Sequence, residues 1–295
     1  MIKTLWAVTA VAFLLTGCAT HKPVDYSPKQ LVLATPQQTD YESQASFIRL
    51  GQLIQSGRFQ DDKLSHLYYQ RGMVLSKMGL GAMARLDFSR AIHITPDFAQ
   101  PYNFLGLYYL QDDELDNAYE AFDSSIELDP RFSYAYFARS VALYYGQKYK
   151  LAEQDIRRYE AQTPNDPYRV LWRYLIDSKI DELSATARVG AAYKAHQDSR
   201  DWGWQLIALF ANKITPTQLL EEAKLTKDPA QRAQQLCEAY FYMAKYTQQH
   251  GDAFLAHQEF KLALSSNIYE YIEHSLALLE LKRYEEAHTQ ITREL

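Results

Sequence analysis

Residues 99–132 read AQPYNFLGLYYLQDDELDNAYEAFDSSIELDPRF, and the residue types along this stretch recur one fixed interval earlier and one fixed interval later. Its closing proline, Pro130, has counterparts in Pro96 and Pro164. Four further positions repeat at the same interval: Tyr68, Tyr102 and Tyr136; Gly72, Gly106 and Ser140; Ala84, Ala118 and Ala152; and Phe88, Phe122 and Ile156. A fixed period of this length indicates one structural unit used three times, over residues 65–98, 99–132 and 133–166.

Each unit predicts two antiparallel helices. In residues 65–98, the small Gly72 and Ala84 lie where the two helices must approach closely. Phe88 and Ala91 are three residues apart, so they share a face of the second helix that can pack on the next unit. Pro96 cannot continue a helix and closes the unit. The pattern resembles the tetratricopeptide repeat (TPR), whose helix–turn–helix units stack into a curved solenoid.

The rest of the chain predicts more helices and no sheet. At residues 237–270, Tyr240, Ala256 and Phe260 keep the relative spacing of a fourth, degenerate TPR. The remaining segments are predicted as a leading helix at 41–64, an irregular helical region at 167–236, and closing helices within 271–295. We therefore expect an all-α fold, a TPR-containing right-handed helical solenoid with non-TPR helices between the repeats.

The amino terminus predicts a signal peptide followed by a lipid anchor. Residues 1–17 contain an apolar run that is too short to span a bilayer as a permanent helix. The run ends in Leu15, Thr16, Gly17 and Cys18, which resembles the lipobox of bacterial lipoproteins. That resemblance implies cleavage before Cys18, acylation of Cys18 and, because Ala19 follows it, sorting to the outer membrane, facing the periplasm. The alternative is an ordinary secretory signal with a chance cysteine.

Residues 18–40 contain three prolines and little apolar periodicity, so we expect them to form a flexible tether behind the lipidated cysteine. The formal net charge of −5 and the absence of a Lys/Arg run argue against nucleic-acid binding. No sequence signature of a catalytic, metal or cofactor site is present, so we expect a non-enzymatic protein. Cys237 lies in an apolar helix and is predicted to be a small buried residue. The acidic stretch at 112–117 lacks the glycine of a calcium loop and is predicted as a solvated turn.

The TPR resemblance also implies a binding surface. In TPR folds the first helix of each pair lines the concave side through repeat positions 2, 5, 9 and 12. These positions predict a partner-binding groove made of His66, Tyr69, Met73, Asn103, Leu107, Tyr134, Phe137, Val141 and Tyr144. The groove lacks the Lys and Arg of carboxylate-clamp TPR domains, so it suits an apolar helix or extended segment of a partner. The alternative is that later helices of the same chain fill part of it.

The leading helix predicts a contact between two copies of the chain. Phe47, Leu50 and Ile54 form one apolar stripe on this helix. A solenoid exposes an apolar face at each end unless a cap covers it, and a two-fold partner could bury this stripe. We expect a homodimer with these residues in its interface.

The order of these segments resembles that of the NlpI lipoproteins. The stretches that carry the resemblance are 67–92, 103–109, 118–130, 142–156, 166–175, 202–204 and 273–281. It implies a homodimeric outer-membrane adaptor that gathers peptidoglycan hydrolases and brings some of them to a periplasmic protease, with a role in cell division and cell-wall turnover.

Two other classes of protein stay open. The first is a pilotin-type TPR lipoprotein, which escorts a secretin to the outer membrane. Proteins of that class are built from regular repeats to the end, whereas this sequence loses its period after Asp166. An enzyme such as a glycan hydrolase needs a recessed carboxylate pair or a nucleophile with its base, and no spacing in the sequence proposes either.

The lipid anchor gives the first testable prediction. The substitution Cys18→Ala should leave the protein soluble or unprocessed, because the acyl chains expected on Cys18 supply the membrane affinity. Fractionation of cell envelopes and the mass of the mature chain measure this. Normal processing together with outer-membrane fractionation of the variant would contradict the anchor.

Overall fold

The computed structural model describes residues 31–162 and 166–294. Within these residues the chain forms 14 α-helices and no strand. Their bounds are α1 Tyr41–Gln55, α2 Asp61–Lys77, α3 Gly81–Ile94, α4 Ala99–Gln111, α5 Leu115–Leu128, α6 Ser133–Tyr145, α7 Tyr149–Gln162, α8 Pro167–Ser178, α9 Glu182–Ala195, α10 Trp202–Phe210, α11 Pro216–Leu225, α12 Pro229–Gln249, α13 Ala253–Leu264 and α14 Ile272–Glu294. Across the described parts of the chain, none of these helices is both long and apolar enough to cross a membrane.

The helices form antiparallel pairs, and each pair packs on the next, as in a solenoid. The expected all-α fold is confirmed. The first helices of three successive pairs start at Ala99, Ser133 and Pro167, which are equally spaced by the period of the sequence repeat. The spacing therefore extends one pair beyond the three repeats, into the region that the sequence predicts to be irregular. Asp166 caps α8 by accepting a hydrogen bond from the backbone N–H of Tyr168, and Pro167 occupies the first turn, so α8 begins in register.

Three helix bounds differ from those that the sequence predicts. The first helix of residues 65–98 begins at Asp61, and the degenerate repeat at 237–270 begins inside α12, which starts behind the cap Asp228. The predicted pair of closing helices is one continuous helix, α14. A long helix in this position can reach along the solenoid rather than only close its end.

The repeats are held by a close contact between a glycine on the first helix and a phenylalanine on the second. A Cβ atom on Gly106 would lie 2.6 Å from the ring of Phe122, and the same contact joins Gly72 to Phe88 at 2.7 Å. Only glycine permits this approach of ring to helix backbone. The third repeat has Ile156 opposite Ser140 instead, and both are buried.

Helix α14 lies along the side of the solenoid formed by the first helices of the pairs, which we call the inner side. It packs against α4, α12 and α13. Glu280 of α14 accepts hydrogen bonds from Lys245 Nζ at 2.6 Å and from the Tyr145 hydroxyl at 2.8 Å. Arg283 pairs with both carboxylate oxygens of Asp113, at 2.5 and 2.9 Å. The acidic turn at 112–117 thus holds α14 and is not simply solvated.

Residues 31–40 form an extended segment, the strap, that lies on α12 and the α13–α14 connection. The Tyr240 hydroxyl accepts from Val32 N at 3.1 Å and donates to Val32 O at 2.7 Å. Gln37 N donates to Ser266 O at 2.9 Å. Residues 31–40 are therefore held against the helices and do not form the predicted flexible tether, because Tyr240 bonds the backbone of Val32 and Ser266 accepts from Gln37. Residues 18–30 lie outside the described part of the chain.

The glycine contact predicts opposite effects of the same substitution at two glycines. Gly106→Ala should destabilise the fold by about 1–3 kcal/mol, because its new methyl group overpacks against the buried ring of Phe122. Gly190 of α9 has no atom within 4 Å of its Cβ position, so Gly190→Ala should stabilise by about 0.5–1 kcal/mol through helix propensity. Urea unfolding followed by circular dichroism measures both. Equal effects at the two positions would contradict this account of the repeat contact.

Candidate functional site

A cleft of about 460 Å³ opens on the inner side between the first two repeats and the amino-terminal part of α14. We call it the α14 cleft. The residues that line it are Met73, Ser76, Gly79, Gly81, Phe104, Leu107, Tyr108, Gln111, Tyr134, Tyr269, Glu270, Tyr271, Ile272, His274, Ser275 and Leu278. Its volume is in the range of sites that bury a small ligand or a few side chains of a partner.

One wall of the α14 cleft is an aromatic stack on α2 and α4. The Phe104 ring stacks on the buried Phe88 with a centroid distance of 4.7 Å. Tyr69 packs edge-on against Phe104 at 5.8 Å. The hydroxyls of Ser76 and Tyr108 hydrogen-bond to each other. Stacked and hydrogen-bonded rings make this wall rigid, and burial raises the pKa of Tyr108.

The other wall comes from the α13–α14 connection and the first turns of α14. The Tyr269 ring lies against Gly79, whose φ of +74° and lack of a Cβ allow the contact. His274 packs edge-on against Tyr269 at 4.9 Å, and burial lowers the pKa of His274 to about 4. This histidine is therefore neutral at neutral pH. Glu270 is exposed at the rim, and no Lys or Arg is among the described lining residues.

The structure brings only part of the predicted groove to this cleft. Met73, Leu107 and Tyr134 line it. Tyr69 lies behind the aromatic wall, and His66 is exposed and stacks on Phe98 at 4.4 Å, outside the cleft.

The predicted groove is wrong for its remaining members, because the chain's own helices cover them. Asn103, Phe137, Val141 and Tyr144 are all buried. Trp172 of α8 packs edge-on against both Phe137, at 6.3 Å, and Tyr144, at 5.8 Å. The alternative that later helices fill part of the groove is thus correct for the third repeat. These side chains belong to the core.

Part of the predicted dimer stripe packs against other helices of the same chain. Phe47 packs against the core of the first repeat, which includes Leu75 and Phe88. Leu50 and Ile54 are half-buried. The homodimer therefore stays a prediction. The lipobox residues Leu15, Thr16, Gly17 and Cys18 lie outside the described residues.

The sequence analysis missed a buried pair of carboxyl groups behind the α14 cleft. Glu238 of α12 accepts a hydrogen bond from Tyr168, and Glu273 of α14 accepts one from Tyr242, each at 2.9 Å. Burial, with the nearby charge of Glu273, raises the pKa of Glu238 to about 8. Burial also raises the pKa of Glu273. The pair therefore holds a proton at neutral pH.

A recessed carboxyl pair is what a glycan hydrolase would need, but this pair is enclosed. Glu238 is 6% and Glu273 5% exposed, and each is already bonded to a tyrosine hydroxyl. A substrate could not reach both groups without displacing α14. The sequence does contain a signal that could have revealed Glu238, because it is a glutamate inside the apolar run LCEAYFYMA at 236–244. Among the described residues, no group of three or more His, Cys, Asp or Glu is arranged to hold a metal ion.

Comparisons with known proteins agree with the helical pairs. A family model described as "Tetratricopeptide repeat" matches residues 99–132. A tetratricopeptide repeat protein from Parabacteroides merdae is 14% identical, with a TM-score of 0.51 over 83% of this chain and 93% of its own. The C-terminal part of a TPR repeat-containing protein from Cytophaga hutchinsonii is 17% identical, with a TM-score of 0.41 over 77% and 79%. YrrB, described as a TPR protein with an unusual peptide-binding site, is 16% identical, with a TM-score of 0.34 over 66% and 97%.

The helical pairs and these matches define the class of protein, an all-helical protein with a tetratricopeptide-repeat scaffold. Proteins of this class generally act as non-enzymatic scaffolds that bind peptides and other proteins. Because the sequence identity is only 14%, the Parabacteroides merdae structure supports the fold only.

The buried carboxyl pair predicts a pH dependence of stability. The folded-state pKa of Glu238 is about 8, against 4.5 for an unperturbed glutamate, so the folded state holds a proton that the unfolded state releases. Stability from this group is therefore lost as pH rises from about 4.5 to 8. Glu238→Gln keeps an acceptor for Tyr168 and cannot ionise, so it should raise the melting temperature at pH 8 and change it little at pH 5.

Thermal unfolding of both proteins from pH 5 to pH 8 measures this difference. Glu286→Gln, at an exposed position of α14, removes the same formal charge and should leave the pH profile unchanged. Parallel profiles for the native protein and Glu238→Gln would show that the pair is ionised throughout.

Proposed function

We propose that the protein is a non-enzymatic adaptor that binds a segment of a partner protein in the α14 cleft. The observation that carries the proposal is the geometry of this cleft, with a rigid aromatic wall on one side and an apolar turn of α14 on the other. Its lining offers apolar surface, hydroxyl groups and a neutral histidine. Such a surface binds apolar anchors of a helix or extended peptide, and not an acidic chain end.

The anchor and the partner classes follow from the sequence. The lipobox around Cys18 supports attachment to the outer membrane, facing the periplasm. The resemblance to the NlpI lipoproteins supports peptidoglycan hydrolases and a periplasmic protease that degrades them as the partners. In this function the protein gathers both on one membrane-held scaffold and so regulates cell-wall turnover and cell division.

A pilotin-type escort of an outer-membrane secretin is the second candidate function. One observation favours keeping it: the spacing of helix starts continues through α8 at Pro167, although the sequence consensus ends at Asp166. The regularity of the helices therefore does not distinguish an adaptor from a pilotin-type escort. Identification of the bound partner distinguishes these two functions.

The cleft predicts which surface change abolishes binding. Leu278 of α14 lines the cleft and is 37% exposed, so Leu278→Arg should leave the fold intact and place a charge among the apolar anchors. We expect at least a tenfold loss of affinity, about 1.4 kcal/mol or more, as for a hot-spot position. Leu183→Arg is the matched control, because Leu183 is 85% exposed on α9 and outside the cleft.

The measurement is site-specific photo-crosslinking from position 278, with position 183 as control, in intact envelopes, followed by identification of the crosslinked proteins. Hydrolases or a periplasmic protease at position 278 alone support the adaptor. A secretin there supports the escort function. Equal labelling from both positions, or binding unaffected by Leu278→Arg, would place the partner elsewhere.

A further inference from the structure

The first and third repeats contain the same ion pair, between a partly buried arginine on the first helix and a buried aspartate on the second. Arg71 donates to both carboxylate oxygens of Asp87, at 2.6 and 2.8 Å. Arg139 does the same with Asp155, at 2.6 and 2.8 Å. In each repeat the aspartate follows the arginine by 16 residues, and the geometry is the two-pronged one that guanidinium and carboxylate favour.

The α8–α9 pair keeps the arginine and loses the carboxylate. Arg173 stands one repeat period after Arg139, but the residue in the place of the aspartate is Val189, which is buried. Arg173 reaches other acids instead: Asp177 of its own helix at 2.5 Å, and Glu160 at 2.9 Å. Neither acid comes from α9, although the second helix of the pair supplies the aspartate in the first and third repeats.

A cavity of about 430 Å³ lies between α7, α8 and α9 at this place, and both Arg173 and Val189 line it. Arg157, Arg169 and Arg188 are also in its lining.

The ion pairs of this cavity leave it with positive charge. Within the described part of the chain, the four arginines are bonded to three carboxylates, those of Glu153, Glu160 and Asp177. Glu153 also pairs with Lys150, so cations outnumber carboxylates in this cluster. The protein as a whole carries −5, which makes this concentration of arginine a local feature.

The rest of the lining consists of one carboxylate, that of Glu160, and five mainly apolar residues: Val170, Tyr174, Ala185, Val189 and Ala192. A guanidinium cluster beside small apolar side chains fits a ligand that carries a carboxylate next to a small apolar group. A monoanion suits the site better than a phosphate dianion, because three fixed carboxylates stand among the cations and repel a second negative charge.

We propose that this cavity binds a peptide carboxylate, at a chain end or on an acidic side chain, with an apolar neighbour in the peptide. The ligand carboxylate would pair with Arg188 and Arg157, whose side chains are 49% and 59% exposed. Arg173 is already bonded to Asp177 and Glu160. The described residues that line this cavity are all different from those of the α14 cleft, so the site is a second one and stands whether or not the cleft binds a partner.

The test uses the full mature chain and three small probes in isothermal titration calorimetry. N-acetyl-Ala-Ala with a free carboxylate should bind with a dissociation constant on the order of 1 mM, and its carboxamide should bind at least about tenfold more weakly. N-acetyl-Ala-Glu-amide separates the sources: equal binding assigns the site to acidic side chains as well as chain ends. Equal binding of acid and carboxamide, or tighter binding of inorganic phosphate, would overturn the proposal.

Two variants locate the site. Val189→Asp supplies from α9 the carboxylate that the first and third repeats have, and should abolish binding while the protein stays folded by circular dichroism. If Val189→Asp impairs folding, Arg188→Gln is the variant that tests the site. The Arg188 side chain is 49% exposed, and Asp177 keeps its bond to Arg173 when Arg188 is replaced. It should weaken binding about tenfold. Arg90→Gln, at a comparably exposed arginine of the first repeat, is the control, and an equal effect there would refute the assigned place.

Discussion

Lys245 and Glu280 form an ion pair that is almost shielded from water, and the position of α14 depends on it. Their side chains are 5% and 8% exposed at an N–O distance of 2.6 Å. Burial alone would favour neutral groups, yet the pairing holds the pKa of Glu280 below its usual value. Removing either partner leaves a buried charge, which typically costs about 3–5 kcal/mol. The pair therefore selects one placement of α14 and excludes others.

That placement determines where the inner side is open and where it is closed. Glu280 also accepts from Tyr145 of the third repeat, so this part of α14 lies against that repeat. The first two turns of α14, up to Leu278, instead leave a gap towards α2 and α4, and this gap is the α14 cleft. Glu238 and Glu273 lie at this same end of the helix, and burial raises the pKa of both. A wall of the cleft is thus held by groups whose ionisation changes with pH.

The repeat period predicted the helices because it records packing between neighbours in sequence. Gly106 and Phe122 touch within one unit, so their recurrence carries that contact directly. Contacts of α14 join residues far apart in the chain, and no period records them. Glu280 and Arg283 are typical of a solvated closing helix until Lys245 and Asp113 are brought beside them. The cleft wall could not be predicted for that reason, whereas filling of the groove by later helices could be stated only as an alternative without naming the helix.

The region after Asp166 shows the reverse case, a regular structure without the expected residues. The fourth pair has Tyr174 and Gly190 where the first has Gly72 and Phe88, and Tyr174 packs on Phe210 of α10 instead. Helix caps such as Asp166 and Asp181 maintain the helix spacing there. The strap has a mechanical consequence of its own. A force applied to the chain at residue 31 acts on the two hydrogen bonds between Val32 and Tyr240 before it acts on α1. The force is therefore transmitted to α12 in the core and not to the first three repeats.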